Sequence, residues 1–184
     1  MKKTRLTLLA SLMTALMYAG GQALAGLPNV EVITFLAFVS GYLLGPLPGM
    51  AVGACGMGAH SLFNAMGPVA PPMWIAQMVC YALVGLAGAG LGPWMARPEA
   101  RTGPAFAAAG AGAALTFFYQ LVVNAVGFMT FARDVDLWTY VWGGVAFGAV
   151  QIVWNAALFF AAAPPTLRVL ARYRGRILGK GASS

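Results

Sequence analysis

The residues able to do chemistry in this chain are few and mostly uncharged. Its 184 residues hold one histidine and four carboxylates, and of the latter Glu99, Asp134 and Asp136 fall in connecting segments. Catalysis needs reactive groups that converge, and no such set is apparent. His60-Ser61 lacks the flanking glycines of an intramembrane serine protease, and Gly175 and Gly179-Lys180 are misspaced for a phosphate-binding GxxxxGK followed by Ser or Thr. The reading is therefore not an enzyme. What remains is a set suited to recognition. His60/Asn64 and Gln120/Asn124 are i,i+4 pairs, Trp74/Gln77/Tyr81 follow i,i+3,i+7, and Asn29, Glu31 and Thr34 lead into another apolar run. Each helical set shares one face. Amide, imidazole and aromatic groups suit a neutral or zwitterionic organic molecule held by stacking and directional hydrogen bonds.

Metal and cofactor chemistry find little to work with. Cys55 and Cys80 sit in apolar runs without CxxC spacing and read as buried free thiols, and the ten methionines are scattered as packing residues. The expectation is no metal and no cofactor.

The elements that must position these groups follow from composition. Sixty per cent of the residues are apolar and 8% charged, against about 25% charged in a soluble domain. This predicts an all-α integral membrane protein. A helix crossing the hydrocarbon needs about 20 apolar residues. Cutting the chain at charges, prolines and glycine pairs leaves six segments, at 6–26, 30–45, 48–66, 73–94, 104–130 and 137–163, with a basic tail over 164–184. Short connections make neighbours antiparallel, so the expected fold is a single six-helix membrane domain.

Charge orients it. With the amino terminus in the cytoplasm, Lys2, Lys3, Arg5, Arg97, Arg101, Arg168, Arg172, Arg174, Arg176 and Lys180 lie inside and Arg133 alone outside. That bias obeys the positive-inside rule and puts both termini in the cytoplasm. The net charge of +7 thus belongs to membrane orientation, not to a nucleic-acid groove. In this topology most hydrogen-bonding and aromatic groups occupy the outer half of the bilayer. Two readings fit them: a ligand pocket, or an interfacial aromatic belt with amides that join helices. Gln151 and Asn155 lie deeper and read as helix-joining residues.

The first segment also has two readings. A basic head, an apolar run and Ala23-Leu24-Ala25 describe a secretory signal, and equally a first helix that stays. Ala15, Ala19 and Ala23 recur every four residues beside Gly20, giving a nearly bare face that another helix can approach closely. The segment is read as retained. Gly49/Gly53, Gly88/Gly92 and Gly144/Gly148 repeat the same small-xxx-small spacing and predict tight helix crossings.

The stretch LPNVEVITFLAFVSGYLLGPLPGMAVGACGMGAHSLFNAMGPVAPPMWIAQMVCYALVGLAGAGLG resembles the substrate-specificity subunits, or S components, of energy-coupling factor (ECF) vitamin transporters. The likeness lies in the order of features: Pro-Asn-x-Glu leading into the second helix, a glycine-rich third helix ending near an asparagine, a Gly-Pro loop, and an aromatic, glutamine-bearing fourth helix. It covers residues 10–95, and the remainder agrees in length and helix count. The resemblance implies a multi-pass protein of the bacterial cytoplasmic (inner) membrane that captures a vitamin or related small organic nutrient in its outer half. It implies closure by the loop Gly26 to Glu31, and docking of the Ala15, Ala19 and Ala23 face on a transmembrane coupling subunit driven by two ATPases. The loaded subunit would then reorient in the lipid bilayer. Lys2 stands where the nickel and cobalt branch carries histidine, and the general likeness is to little-characterised members, some of them linked to corrinoids. On this reading the substrate residues are Asn29, Glu31, Thr34, His60, Asn64, Trp74, Gln77, Tyr81, Gln120 and Asn124. The competing reading is a non-transporting membrane scaffold whose small-residue faces assemble partners.

Overall fold

The computed structural model describes residues 2–64, 67–97 and 102–177. Glu99, Arg101, Lys180 and the tail beyond Ile177 lie outside the described residues, as do Met66 and the side chain of Arg176. Among the described residues are seven helices and no strand: α1 Lys2–Ala23, α2 Ile33–Leu44, α3 Pro46–Leu62, α4 Pro71–Met95, α5 Gly103–Phe131, α6 Leu137–Phe147 and α7 Ala149–Ile177. Helix boundaries follow local chemistry. Pro46, Pro71 and Pro104 stand in the first turns of α3, α4 and α5, where a missing N–H costs no intrahelical bond. Gly45, at φ 95°, turns the chain between α2 and α3 in a conformation that favours glycine.

Four helices, α1, α4, α5 and α7, are long and apolar enough to cross a membrane. Leu8, Leu12, Phe106 and Val153 lie exposed on the outside of the bundle, as lipid contact requires. The protein is built to be membrane-embedded. The other helices are shorter. With 12 residues α2 spans about 18 Å, and with 17 residues α3 spans about 26 Å. Such a short helix holds because it is central: α2 buries ten of its twelve residues against α1, α3, α4 and α7.

The closest approach in this inner group is a glycine junction. A methyl group added at Gly41 would strike the Gly85 carbonyl, one at Gly85 the Gly49 carbonyl, and one at Gly49 the Gly41 Cα. Three backbones therefore touch where side chains would hold them apart. Above it, Phe38 and Phe159 are fully buried with ring centroids 5.2 Å apart, joining α2 to α7.

The sixth predicted segment differs from expectation. It divides at Gly148 into α6 and α7, and α7 continues through Pro164 and Pro165 into the region expected as tail. The cause of the division is local. Gln151 N–H donates to Gly148 O rather than to Phe147 O, tightening one turn at the glycine. The extension is held by burial, since Ala163 and Leu167 are fully buried and Leu170 packs on the core. Arg174 completes it, donating from Nε to Leu43 O at the end of α2 (3.3 Å) and stacking 5.3 Å from the centre of the Tyr42 ring.

Asp136 caps α6. Its carboxylate accepts from Thr139 N (2.8 Å) and Thr139 Oγ1 (2.9 Å), and these bonds hold its pKa below the ordinary aspartate value. A lowered folded pKa means that the cap contributes above about pH 4 and is lost as pH falls through the lowered value. Protection of the Thr139 amide, measured against its intrinsic exchange rate, is expected to fall below pH 4 in the native sequence, and Asp136→Asn, which keeps a neutral cap, should flatten that pH dependence. At the glycine junction, Gly85→Val should cost about 1–3 kcal/mol, read as a lower melting temperature in detergent. Gly90→Ala, which faces open space, should be neutral or stabilising.

Candidate functional site

The site begins with the loop between α1 and α2. Asn29 adopts a left-handed φ of 61°, a region that asparagine tolerates better than most residues. This turns its side chain to donate from Nδ2 to Phe147 O (3.1 Å), the carbonyl left free by the break at Gly148. Two residues on, Trp154 Nε1 donates to the Glu31 carbonyl (2.7 Å). The loop is thus pinned to α6 and α7 from both sides.

Glu31 is the centre of the arrangement. Standing just before the first turn of α2, its carboxylate accepts from Thr34 N (2.9 Å), from Thr34 Oγ1 and from Asn155 Nδ2 (2.6 Å). A carboxylate at a helix start satisfies free N–H groups and meets the positive end of the helix dipole. The bonds then spread outward. Thr34 gives its proton to Glu31, so at 3.0 Å it accepts from the Tyr81 hydroxyl of α4. Fully buried Asn155 also donates to Thr116 Oγ1 of α5 (3.0 Å). One acidic side chain therefore ties four helices together.

Beside this knot lies a cavity of about 480 Å³. Every helix reaches it: Gly21 from α1, the loop from Leu24 to Glu31, Ile33 from α2, Met57 and His60 from α3, Asn64 just beyond, Tyr81 from α4, Tyr119 from α5, Phe147 from α6 and Gln151 from α7. His60 is seated under Gly21, where an added methyl group would strike Nδ1. That nitrogen is buried without a hydrogen-bond partner, as is Asn155 Oδ1.

Of the ten residues the sequence nominates, Asn29, Glu31, His60, Asn64 and Tyr81 line the cavity. Three stand directly behind it. Thr34 braces Glu31 and Tyr81, Gln77 joins Ser61 Oγ (2.6 Å) to the Tyr119 hydroxyl (3.2 Å), and Gln120 donates to Gln151 Oε1 (2.8 Å). Two are further off. Asn124 donates to Gln120 O (2.7 Å), and Trp74 donates to Gly58 O (2.9 Å), where it fastens α4 to α3. The amides on α5 have room because α6 passes them at glycines: a methyl group at Gly144 would strike Asn124, and one at Gly148 would strike Gln120.

Sequence reasoning missed Tyr119 and Gly21, and assigned Gln151 and Asn155 to helix joining. Asn155 does join helices, yet it does so by holding Glu31. Tyr119 carried a signal: it follows Thr116 by three residues, so the two polar side chains share a helical face. Gly21 carried none, because its role is to be absent beneath an imidazole that is distant in sequence.

Ala15, Ala19 and Ala23 are exposed along α1. Ala15 also lines an open, largely apolar groove of about 880 Å³ between α1 and α3, with Leu6, Ala10, Tyr18, Val52 and Cys55. Among the described residues no cluster of three or more His, Cys, Asp or Glu is placed to hold a metal ion. Compared with known proteins, the chain matches no family model, no curated protein and no solved structure.

The pinning of the loop is directly testable. Asn29→Ala removes one partly exposed hydrogen bond of about 1 kcal/mol. Amides 26–31 should then exchange about fivefold faster, with the exchange of α4 and α5 unchanged.

Proposed function

We propose that this protein is the membrane-embedded substrate-binding subunit of an ECF-type importer, which captures a vitamin or related small organic nutrient from outside. The observation that carries the proposal is the cavity. Residues from all seven helices converge on about 480 Å³, within the range of small-molecule sites. Polar residues behind the wall hold Glu31, Tyr81, Tyr119 and Gln151 in place. A bundle that needed only to pack would gain more from closing that space with aliphatic side chains.

The rest of the reading comes from the family resemblance and the charge pattern. Six crossings with both ends in the cytoplasm put the cavity in the outer leaflet, under the loop pinned by Asn29 and Trp154. The exposed Ala15, Ala19 and Ala23 face serves docking on a coupling subunit, with two ATPases supplying the energy that a chain without a P-loop lacks. The volume favours a compact nutrient, since an intact corrinoid would have to protrude. A second reading, a membrane scaffold, draws on the apolar groove between α1 and α3.

Purified protein in detergent, screened against a panel of water-soluble vitamins, is expected to melt several degrees higher with one of them, and native mass spectrometry should show that compound bound one to one. Tyr119→Ala should weaken binding tenfold or more, in line with the loss of a central aromatic contact. Ala19→Trp should leave binding intact and stop uptake in cells. Silence across the panel, with Asn64, Gln77 and Asn124 substitutions weakening only assembly with partner proteins, would favour the scaffold.

A further inference from the structure

We infer that the cavity takes a compact organic monocation, an aromatic or alicyclic ring whose positively charged nitrogen sits against the Glu31 carboxylate; this rests on the cavity being the ligand site proposed above. Residue types alone suggest a neutral or zwitterionic molecule. The geometry is more selective. The lining contains one acid, Glu31, and no lysine or arginine. The donors on that carboxylate are Thr34 N, Thr34 Oγ1 and Asn155 Nδ2, all of them uncharged. They solvate the group without neutralising it. The nearby start of α2 adds only a fraction of a unit charge.

Glu31 is half-buried, and a carboxylate partly withdrawn from water attracts a full opposite charge more strongly than an exposed one. Its oxygens offer about four lone-pair sites, and the three donors leave room at Oε2, which receives only the Thr34 N–H. The surroundings suit the organic part of such a ligand. Tyr81 and Tyr119, with ring centroids 5.5 Å apart in an edge-to-face pair, line the same cavity and provide aromatic surface for a cation. No lysine or arginine in the lining would balance a ligand carboxylate or phosphate, and His60 is the one basic side chain there. The volume holds one or two rings. The ligand class is accordingly a ring-bearing ammonium, amidinium or quaternary nitrogen compound, and not an organic acid or a nucleotide.

Three probes of nearly equal shape separate charge from size: benzamidinium, benzamide and benzoate. Titrated at millimolar concentration into the full-length protein in detergent, with thermal shift and tryptophan fluorescence as readouts, benzamidinium should bind about tenfold or more tightly than benzamide, the worth of one charge-assisted contact. Benzoate should not bind. Glu31→Gln should bring benzamidinium and benzamide to within about twofold of each other. The native protein decides the matter by itself if that variant fails to fold. Equal or tighter binding of benzamide or benzoate overturns the charge inference and leaves the proposed function standing. Silence from all three also overturns the inference, and the proposed function falls with it only if the vitamin panel is silent too.

Discussion

A carboxylate placed among apolar helices has to be answered by donors, and in this protein the donors come from the whole length of the chain. Glu31 lies 124 residues from Asn155 in sequence and 2.6 Å from it in space. Through Thr34 it reaches Tyr81, and through Asn155 it reaches Thr116. Leaving a charged group unsatisfied in such surroundings costs far more than any single apolar contact contributes. The relative placement of α2, α4, α5 and α7 at this end of the bundle is therefore set by the need to solvate one side chain. The cavity opens beside that knot, so the group that organises the helices also lines the cavity.

The opposite device operates deeper in the bundle. Around Gly41, Gly49 and Gly85 there is no side chain to arrange, and the backbones of α2, α3 and α4 meet directly. Contact of this kind is strong in a membrane because lipid offers no competing hydrophobic gain and close packing supplies the attraction. It also anchors α2, which at 12 residues is about three turns long and too short to cross hydrocarbon unsupported. With one end of the inner group clamped by glycines and the other tied by polar bonds, the space between the loop and His60 stays open instead of collapsing.

Mobility is distributed accordingly. The loop from Leu24 to Val30 is tied to its far neighbours by the exposed Asn29 bond, and its end is held at Glu31, through the backbone by Trp154 and through the carboxylate by Asn155. The walls rest on buried polar networks and aromatic packing. Segments held by exposed hydrogen bonds open more easily than buried packed ones, so opening of the cavity would start at the loop.

The sequence by itself determined that the chain is helical and membrane-embedded, and it located five of the cavity-lining residues. Apolar run length, proline and glycine punctuation and helical spacing are local properties, legible without a partner. Its limits are equally physical. Nothing near Gly148 announced that a continuous apolar run would divide there, or that the basic segment after Pro165 would continue as helix under the cover of Leu167 and Arg174. Trp74 and Asn124 had the residue types of a site but spend their hydrogen bonds on neighbouring helices. Tyr119, Gly21, Gln151 and the bond from Asn155 to Glu31 were decided only by the tertiary structure, because convergence on one cavity depends on how each helix is rotated against the others. Periodicity says which residues of a helix share a face; only packing says what that face meets.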